Sequence, residues 1–231
     1  MSSIFKAGLL AAIITSPGVY AADKAVTETR DLASFTEIEV DGSFDVFVKV
    51  GPAQSVKVTA DADIMDRVVT EVSGDELTIK MKRGSYQNIR ELRVDITVPS
   101  LTEASMNGSG DIEVDGAKGE SFELAVNGSG DASLKNAMVG KVELSVNGSG
   151  DVDASGTCTE VEADVNGSGD VDASGLKCEV AVADGSGSGD IRVHATKEVK
   201  ASMSGSGDIT ITGAPVKVKT SVNGSGDVSV E

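Results

Sequence analysis

From Glu37 onward apolar and polar residues alternate one by one. Ile38 and Val40, then Phe44, Val46, Val48 and Val50, then Val56 and Val58 fall on one face, with Gly42 and Gly51-Pro52 as punctuation. Period-two runs of β-branched residues bounded by such breaks predict strands joined by tight turns. Residues 22–36 are polar and keep no period, so they are expected to form a flexible lead-in. Ile64, Met65, Val68 and Val69, preceded by Asp61 and Asp63, break the alternation and fit one or two helical turns. Alternation resumes at Leu77, Ile79 and Met81 and again from Leu92 to Val98, with a polar loop at Arg83 to Arg90 between them.

After this irregular part, residues 37–106, the pattern becomes periodic over 107–231. Asn-Gly-Ser-Gly-Asp begins at Asn107, Asn127, Asn147, Asn166 and Asn223, and Ser replaces the Asn at Ser186 and Ser204. The closing residues are Asp111, Asp131, Asp151, Asp170, Asp190, Asp208 and Asp227, spaced by 20, 20, 19, 20, 18 and 19 residues. Asp41-Gly42-Ser43-Phe44-Asp45 is a degenerate copy. Each unit places apolar alternation on both sides of the motif and a second Gly-containing turn about midway, as at Asp115-Gly116 and Ser155-Gly156. That plan predicts coils of two short strands and two turns. A flat antiparallel meander would leave an apolar row uncovered, because almost no helix is available to pack on it. A solenoid covers its own apolar rows, so the expected fold is a single-domain all-β solenoid, a parallel β-helix over 37–231. Its coils would stack about 4.8 Å apart, setting the motifs in a column roughly 29 Å long.

Fourteen of the 27 glycines lie in the seven motifs. Glycine supplies backbone reversal, while Asn and Asp hold turns through bonds to nearby amides, and stacked Asn residues bond one another along the column. The sharper alternative is a calcium ladder on the aspartates. Two carboxylates about 4.8 Å apart repel by roughly 1 kcal/mol in water and more when buried, so a buried column would need cations. Cys158 and Cys178 each precede the next motif by eight residues, which places them side by side in adjacent coils and predicts a cross-coil disulfide.

Composition narrows the function classes. Met1 to Ala21 has the Lys6, apolar Ala7 to Ile14 and Val19-Tyr20-Ala21 plan of an export signal, and no cysteine near it would carry a lipid. No later stretch is an integral membrane segment, so an exported protein of the periplasm, cell surface or medium is expected. The formal net charge of −17 excludes nucleic acid and anionic lipid as partners. Lys80, Lys82, Arg83, Arg90 and Arg93 form the one basic concentration, either a contact for an acidic partner or a solvated face. With no Trp, the core must be Val, Ile, Leu and Ala. His194 is the only histidine and reads as a surface residue, so no catalytic set can be assembled and no enzyme is expected.

Phe35 to Val50, Val56 to Asp63, Leu77-Thr78-Ile79-Lys80, and Val98-Pro99-Ser100-Leu101 leading into Met106-Asn107-Gly108-Ser109-Gly110-Asp111 resemble the head GIN domain family of putative auto-transporter adhesins. The resemblance implies a β-helix with Gly-Ser-Gly at its tight turns, no catalytic residues, a role in cell adhesion toward a protein or glycan, and trimers. A periplasmic binding or envelope-maintenance role is the alternative. The sequence departs from that outline at Val228-Ser229-Val230-Glu231, where no membrane barrel follows, so self-translocation is not expected. The strand edge there calls for a cover, either another copy or residues 23–36.

Overall fold

Each alternating run forms a strand with its apolar residues inward, and strands from successive turns lie side by side in parallel register. A computed structural model describes residues 25–231; the expected export signal lies outside the described residues. Strands β2 (Glu37–Gly42) and β3 (Asp45–Val50) are the two sides of one coil, joined by the degenerate corner. On one side of that coil lie β6 (Glu76–Met81) and β7 (Leu92–Val98), with Ile38 opposite Leu77 and Val46 opposite Val94. On its other side lie β8 (Glu103–Gly108) and β9 (Ile112–Asp115), with Gly42 opposite Gly108.

The first coil in sequence is therefore not the first in space. It is inserted between residues 76–98 and 103–115, and the chain passes over it in going from β7 to β8. Between Val50 and Glu76 the chain leaves the stack to build an antiparallel cap from β4 (Ser55–Asp61), a 3₁₀ turn (Met65–Arg67) and β5 (Val68–Ser73). β4 runs antiparallel on β7 and β5 antiparallel on β6.

From β8 and β9 the stack is sequential: β10 (Lys118–Gly128), β11 (Ala132–Gly148), β12 (Val152–Gly167), β13 (Val171–Gly187), β14 (Ile191–Gly205), β15 (Ile209–Thr212), β16 (Lys217–Gly224) and β17 (Val228–Val230). Two inward columns, Phe122–Val142–Val161–Ala181–Val199 and Leu124–Leu144–Ala163–Ala183–Ala201, show the interior narrowing from Phe and Leu toward Ala and Val. All of these side chains are buried, so the coil is filled by its own small aliphatic residues.

Four expectations need correction. The second turn of each coil is not a break: β11 to β14 run unbroken for 15 to 17 residues from one Gly-Ser-Gly-Asp corner to the next. The strand bends there through register shifts, as between Leu134 and Ala137 beside Asn136, whose φ is 54°. A bulge lets a strand curl without giving up its ladder. The helical candidate shrinks to the single 3₁₀ turn, because Ala60 and Asp61 extend β4 and Val68 already opens β5. The lead-in contains β1 (Ala25–Arg30), paired antiparallel with β4 from Ala25–Asp61 to Arg30–Val56. Its side chains are exposed on both faces, so backbone pairing holds it and no hydrophobic period announces it. Lastly, residues 25–36 do not cover the C-terminal edge: β1, Leu32 and Phe35 pack at the opposite end.

Candidate functional site: the aspartate corner and the coil faces

At the corners the stacked backbones approach very closely. Ser149 N–H donates to Gly128 O at 2.8 Å, and Ser168 N–H repeats the bond to Gly148 O one coil on. Gly148 has φ +142°, and a Cβ on it would sit 2.1 Å from Gly128 O. The second glycine, Gly150, needs no positive φ, yet a Cβ there would lie 1.8 Å from Gly130 O. The first glycine answers to backbone conformation and crowding, the second to crowding alone. Phe44 occupies the second-glycine position of the degenerate copy and is fully buried. The coil beneath it closes through the wide loop of residues 82–91, so no corner lies where its ring must go.

The aspartates use their side chains vertically. Asp111 Oδ1 accepts the backbone N–H of Asp131 at 3.2 Å, Asp131 that of Asp151 at 2.9 Å, and Asp151 that of Asp170 at 2.8 Å. Asp170 accepts from Asp190 at 2.7 Å, Asp190 from Asp208 and Asp208 from Asp227, both at 2.8 Å. Asp227 Oδ1 turns back to Val228 N–H at 2.9 Å. Every carboxylate in the column thus faces an amide dipole, and charge-assisted bonds of this kind offset the repulsion along it. Among the described residues no three His, Cys, Asp or Glu side chains are grouped so as to hold a metal ion.

The asparagine column is bonded over only part of its length. Asn107 Nδ2 donates to Asp41 Oδ1 and Glu39 Oε1, Asn127 to Asn107 Oδ1 at 3.0 Å, and Asn147 to Asn127 Oδ1 at 3.1 Å. Asn166 stands in register beside Asn147, while Ser186 and Ser204 separate it from Asn223. Cys158 and Cys178 are disulfide-bonded with their Cα atoms 4.6 Å apart, linking β12 to β13.

A feature absent from the motif lies four residues before each Asn. On the outer face preceding the corner, Glu76, Glu37, Glu103, Glu123, Glu143 and Glu162 stand in one row across six adjacent strands. The row continues as Val182, Lys200 and Lys219, so its sign reverses along the stack. Partial burial, then the neighbouring carboxylates led by Glu123, holds Glu103 above the usual carboxylate range. Burial and Asp41 raise Glu39, and burial and Glu162 raise Asp164. Lys141 reaches both Glu143 and Glu162 and is itself pushed up by those two bonds, the one to Glu143 first. The common offset from the motif was available in the sequence for five of these positions, counting Asp41 as the first motif residue for Glu37. Glu76 joins only through the out-of-order coil.

The opposite face carries a shallow depression of about 340 Å³ lined by Phe47, Lys49, Lys57, Asp95, Glu113 and Asp115 among others. Arg93 stacks 4.1 Å over the Phe47 ring and is held by Asp95. The basic residues do not form one patch. Lys80 approaches Glu71 across β5 and β6, Lys82 Nζ donates to Asp66 O, and Arg90 lies in the loop with its N–H on Asp61 Oδ2. His194 shares a hydrogen bond with Thr212 Oγ1 at 3.1 Å, and burial followed by the charge of Lys177 pulls its pKa down. Arg192 reaches Asp172 at 3.8 Å, one strand away. Neither arrangement pairs a base with a nucleophile and an orienting carboxylate.

Comparison with known proteins places this architecture. The family model "Putative auto-transporter adhesin, head GIN domain" matches residues 34–215. The chain belongs to that family. The family is described as one of putative adhesins, not of enzymes. A crystal structure of a putative adhesin from Bacteroides fragilis covers 91% of this chain and 98% of its own, with a TM-score of 0.84 at 21% identity. A putative adhesin from Parabacteroides distasonis matches with the same coverage, a TM-score of 0.78 and 24% identity. A putative lipid binding protein from the same organism matches at 0.74 and 25%, again covering 91% and 98%. No curated protein matches the chain. The family's adhesin character agrees with an extracellular or surface setting, and among the described residues no helix is long and apolar enough to cross a membrane.

Proposed function

We propose that this is a non-enzymatic, exported interaction module whose flat coil faces bind a protein or glycan surface in cell adhesion. The row of six glutamates carries the reading. The corners are consumed in holding coil to coil, whereas along this row the ties between neighbouring strands are a few surface ion pairs, Lys141 with Glu143 and Glu162 and Lys219 with Glu198. A flat, regularly spaced ionic face suits recognition of an extended surface better than enclosure of a small molecule. The lipid-binding name of the one neighbour does not carry over readily, because the coil interior is filled by buried aliphatic side chains.

Protease shaving of intact cells followed by detection of the peptide around Arg83 to Arg90 tests the placement. Loss of that peptide supports surface exposure. Its full protection would overturn the adhesion reading in favour of a periplasmic binding or envelope-maintenance protein. A pull-down with the mature protein, repeated with Glu103, Glu123 and Glu143 changed to Gln, tests the face: retained capture by the variant would exclude the glutamate row as the contact.

A further inference from the structure

Phenylalanine is scarce in the chain, and Phe35, Phe44 and Phe122 are all buried. Phe47 is 36% exposed, on the outer face of β3. One row across four strands there reads Lys57, Asp95, Phe47 and Glu113, and the next reads Ser55, Thr97, Lys49 and Asp115. Ser55 and Thr97 are short, so the longer side chains around them wall off the depression of about 340 Å³. Arg93 steadies the ring: its guanidinium lies 4.1 Å from the ring centroid, and its Nε donates to both carboxylate oxygens of Asp95, at 3.1 and 2.9 Å. Arg93 is not part of the lining, so the depression meets the ring on a side that Arg93 leaves uncovered. The acids of the two rows already have partners. Asp95 is taken by Arg93, Glu113 by Lys135 at 2.6 Å, and Asp115 accepts from Asn136 Nδ2 at 2.8 Å. Lys57 stands opposite Asp95 and Lys49 opposite Asp115, yet among the described residues neither lysine closes an ion pair. In a chain of net charge −17, the depression thus offers an aromatic face, two hydroxyls and two uncommitted cations.

We propose that this depression binds a carboxylated sugar unit of an acidic glycan. A pyranose ring presents a C–H face that packs on an aromatic side chain, with hydroxyls around its edge. The carboxylate of a uronate or sialate supplies the anion that the two lysines lack. Lys49 and Lys57 are separated by two strand spacings and one side-chain repeat, so their Cα atoms stand roughly 12 Å apart. Two such long side chains can close on one carboxylate above Thr97. The hydroxyls of Ser55 and Thr97 face the sugar's own hydroxyls, and Glu113 and Asp115 accept from them with the lone pairs that their present bonds leave free. An open depression at the lower end of the size range for ligand sites suits one unit of a chain that continues on either side. An acidic protein segment is the poorer occupant: it would satisfy the lysines but has no polyhydroxylated ring to set between Phe47 and the carboxylates of Glu113 and Asp115. Repulsion from the remaining acidic surface is screened beyond about 8 Å at physiological ionic strength. The site lies on the sheet opposite the glutamate row and does not rest on it.

The test is an array of uronate- and sialate-bearing oligosaccharides, the same compounds with their carboxylates methyl-esterified, and poly-glutamate, probed with the labelled full chain. Dense display makes weak binding readable. The acidic sugars should be captured and their esters should not. Phe47→Ala should weaken capture by about tenfold, while Phe47→Trp, which keeps an aromatic face, should retain it. Lys49→Gln together with Lys57→Gln should also weaken it by about tenfold or more. These side chains point outward, so circular dichroism of the variants should match wild type. Changing Glu103, Glu123 and Glu143 to Gln should not weaken capture, which separates this site from the glutamate face. No capture of any acidic sugar, equal capture of the esters, capture of poly-glutamate instead, undiminished capture by Phe47→Ala, or loss of capture in the glutamate variant would each overturn the proposal.

Discussion

Replacing Gly150 with Ala isolates what the stacked corners demand. Gly150 carries no positive φ, so the substitution imposes no backbone strain of its own, and only contact with the neighbouring coil can object. Its Cβ would fall 1.8 Å from Gly130 O and 3.0 Å from Val126 Cγ1. Ordinary C···O contact begins near 3.3 Å, so the corner must open by about 1.5 Å. That displacement carries the Ser149 N–H to Gly128 O bond from 2.8 Å and the Asp151 N–H to Asp131 Oδ1 bond from 2.9 Å out of bonding range. Two lost bonds that leave partly buried groups unpaired cost roughly 3–5 kcal/mol. In a chain of this size that lowers the midpoint of thermal unfolding by on the order of 10 °C. Gly119→Ala is the matched control: φ is +140° but nothing lies within 4 Å of the added Cβ. It should cost about 1–3 kcal/mol, the conformational penalty alone. Thermal unfolding followed by circular dichroism reads both variants. A Gly150→Ala midpoint within about 3 °C of wild type, or a loss no larger than that of Gly119→Ala, would refute the crowding argument.

Glu103→Gln should raise stability at neutral pH by on the order of 0.5 kcal/mol after solvent screening. The folded-state pKa of Glu103 lies above its unfolded value, so its charge is a cost that is fully present above the folded pKa and disappears as pH falls through it. The advantage of the variant should therefore fade as pH falls from neutral through the raised folded-state pKa toward the ordinary carboxylate value, and an advantage that grew with acid would contradict the assignment. Reducing the disulfide, whose ends are 20 residues apart, should cost about 3 kcal/mol. The check is a melt with and without reductant beside a double Cys→Ser variant, which should be insensitive to reductant; an unchanged wild-type melt would speak against a stabilising link.

The repeat made the coil visible because one motif must satisfy three constraints at once: a left-handed glycine, a crowded second glycine and an aspartate able to reach the next coil. Positions under that much constraint leave a signature in sequence. The order of coils leaves none. Alternation marks Ile38, Val40, Leu77 and Ile79 as inward strand residues equally well whichever strand lies beside which, so the insertion of residues 37–50 between 76–98 and 103–115 was not legible. β1 was missed for a related reason, since a strand exposed on both faces needs no apolar period. The glutamate row was largely legible. Glu103, Glu123, Glu143 and Glu162 share an offset from the motif and Glu37 shares it from the degenerate copy, but Glu76 enters only through the out-of-order coil.

The division of labour between corner and face follows from where each side chain spends its bonds. Corner aspartates bond the next coil's amides in an unbroken series from Asp111 to Asp208, whereas Glu103 and Asp164 are held on a sheet face among other carboxylates at a cost in stability. A protein retains such a cost more readily where the charges meet something else.

The central claim, that the aspartate column is a structural corner rather than a ligand ladder, is tested most directly by melting the protein in millimolar calcium and again in chelator. The account predicts the same midpoint in both. A cation held by the column at 100 times its dissociation constant would add about 2.7 kcal/mol, so a calcium-dependent rise of more than about 5 °C would contradict it.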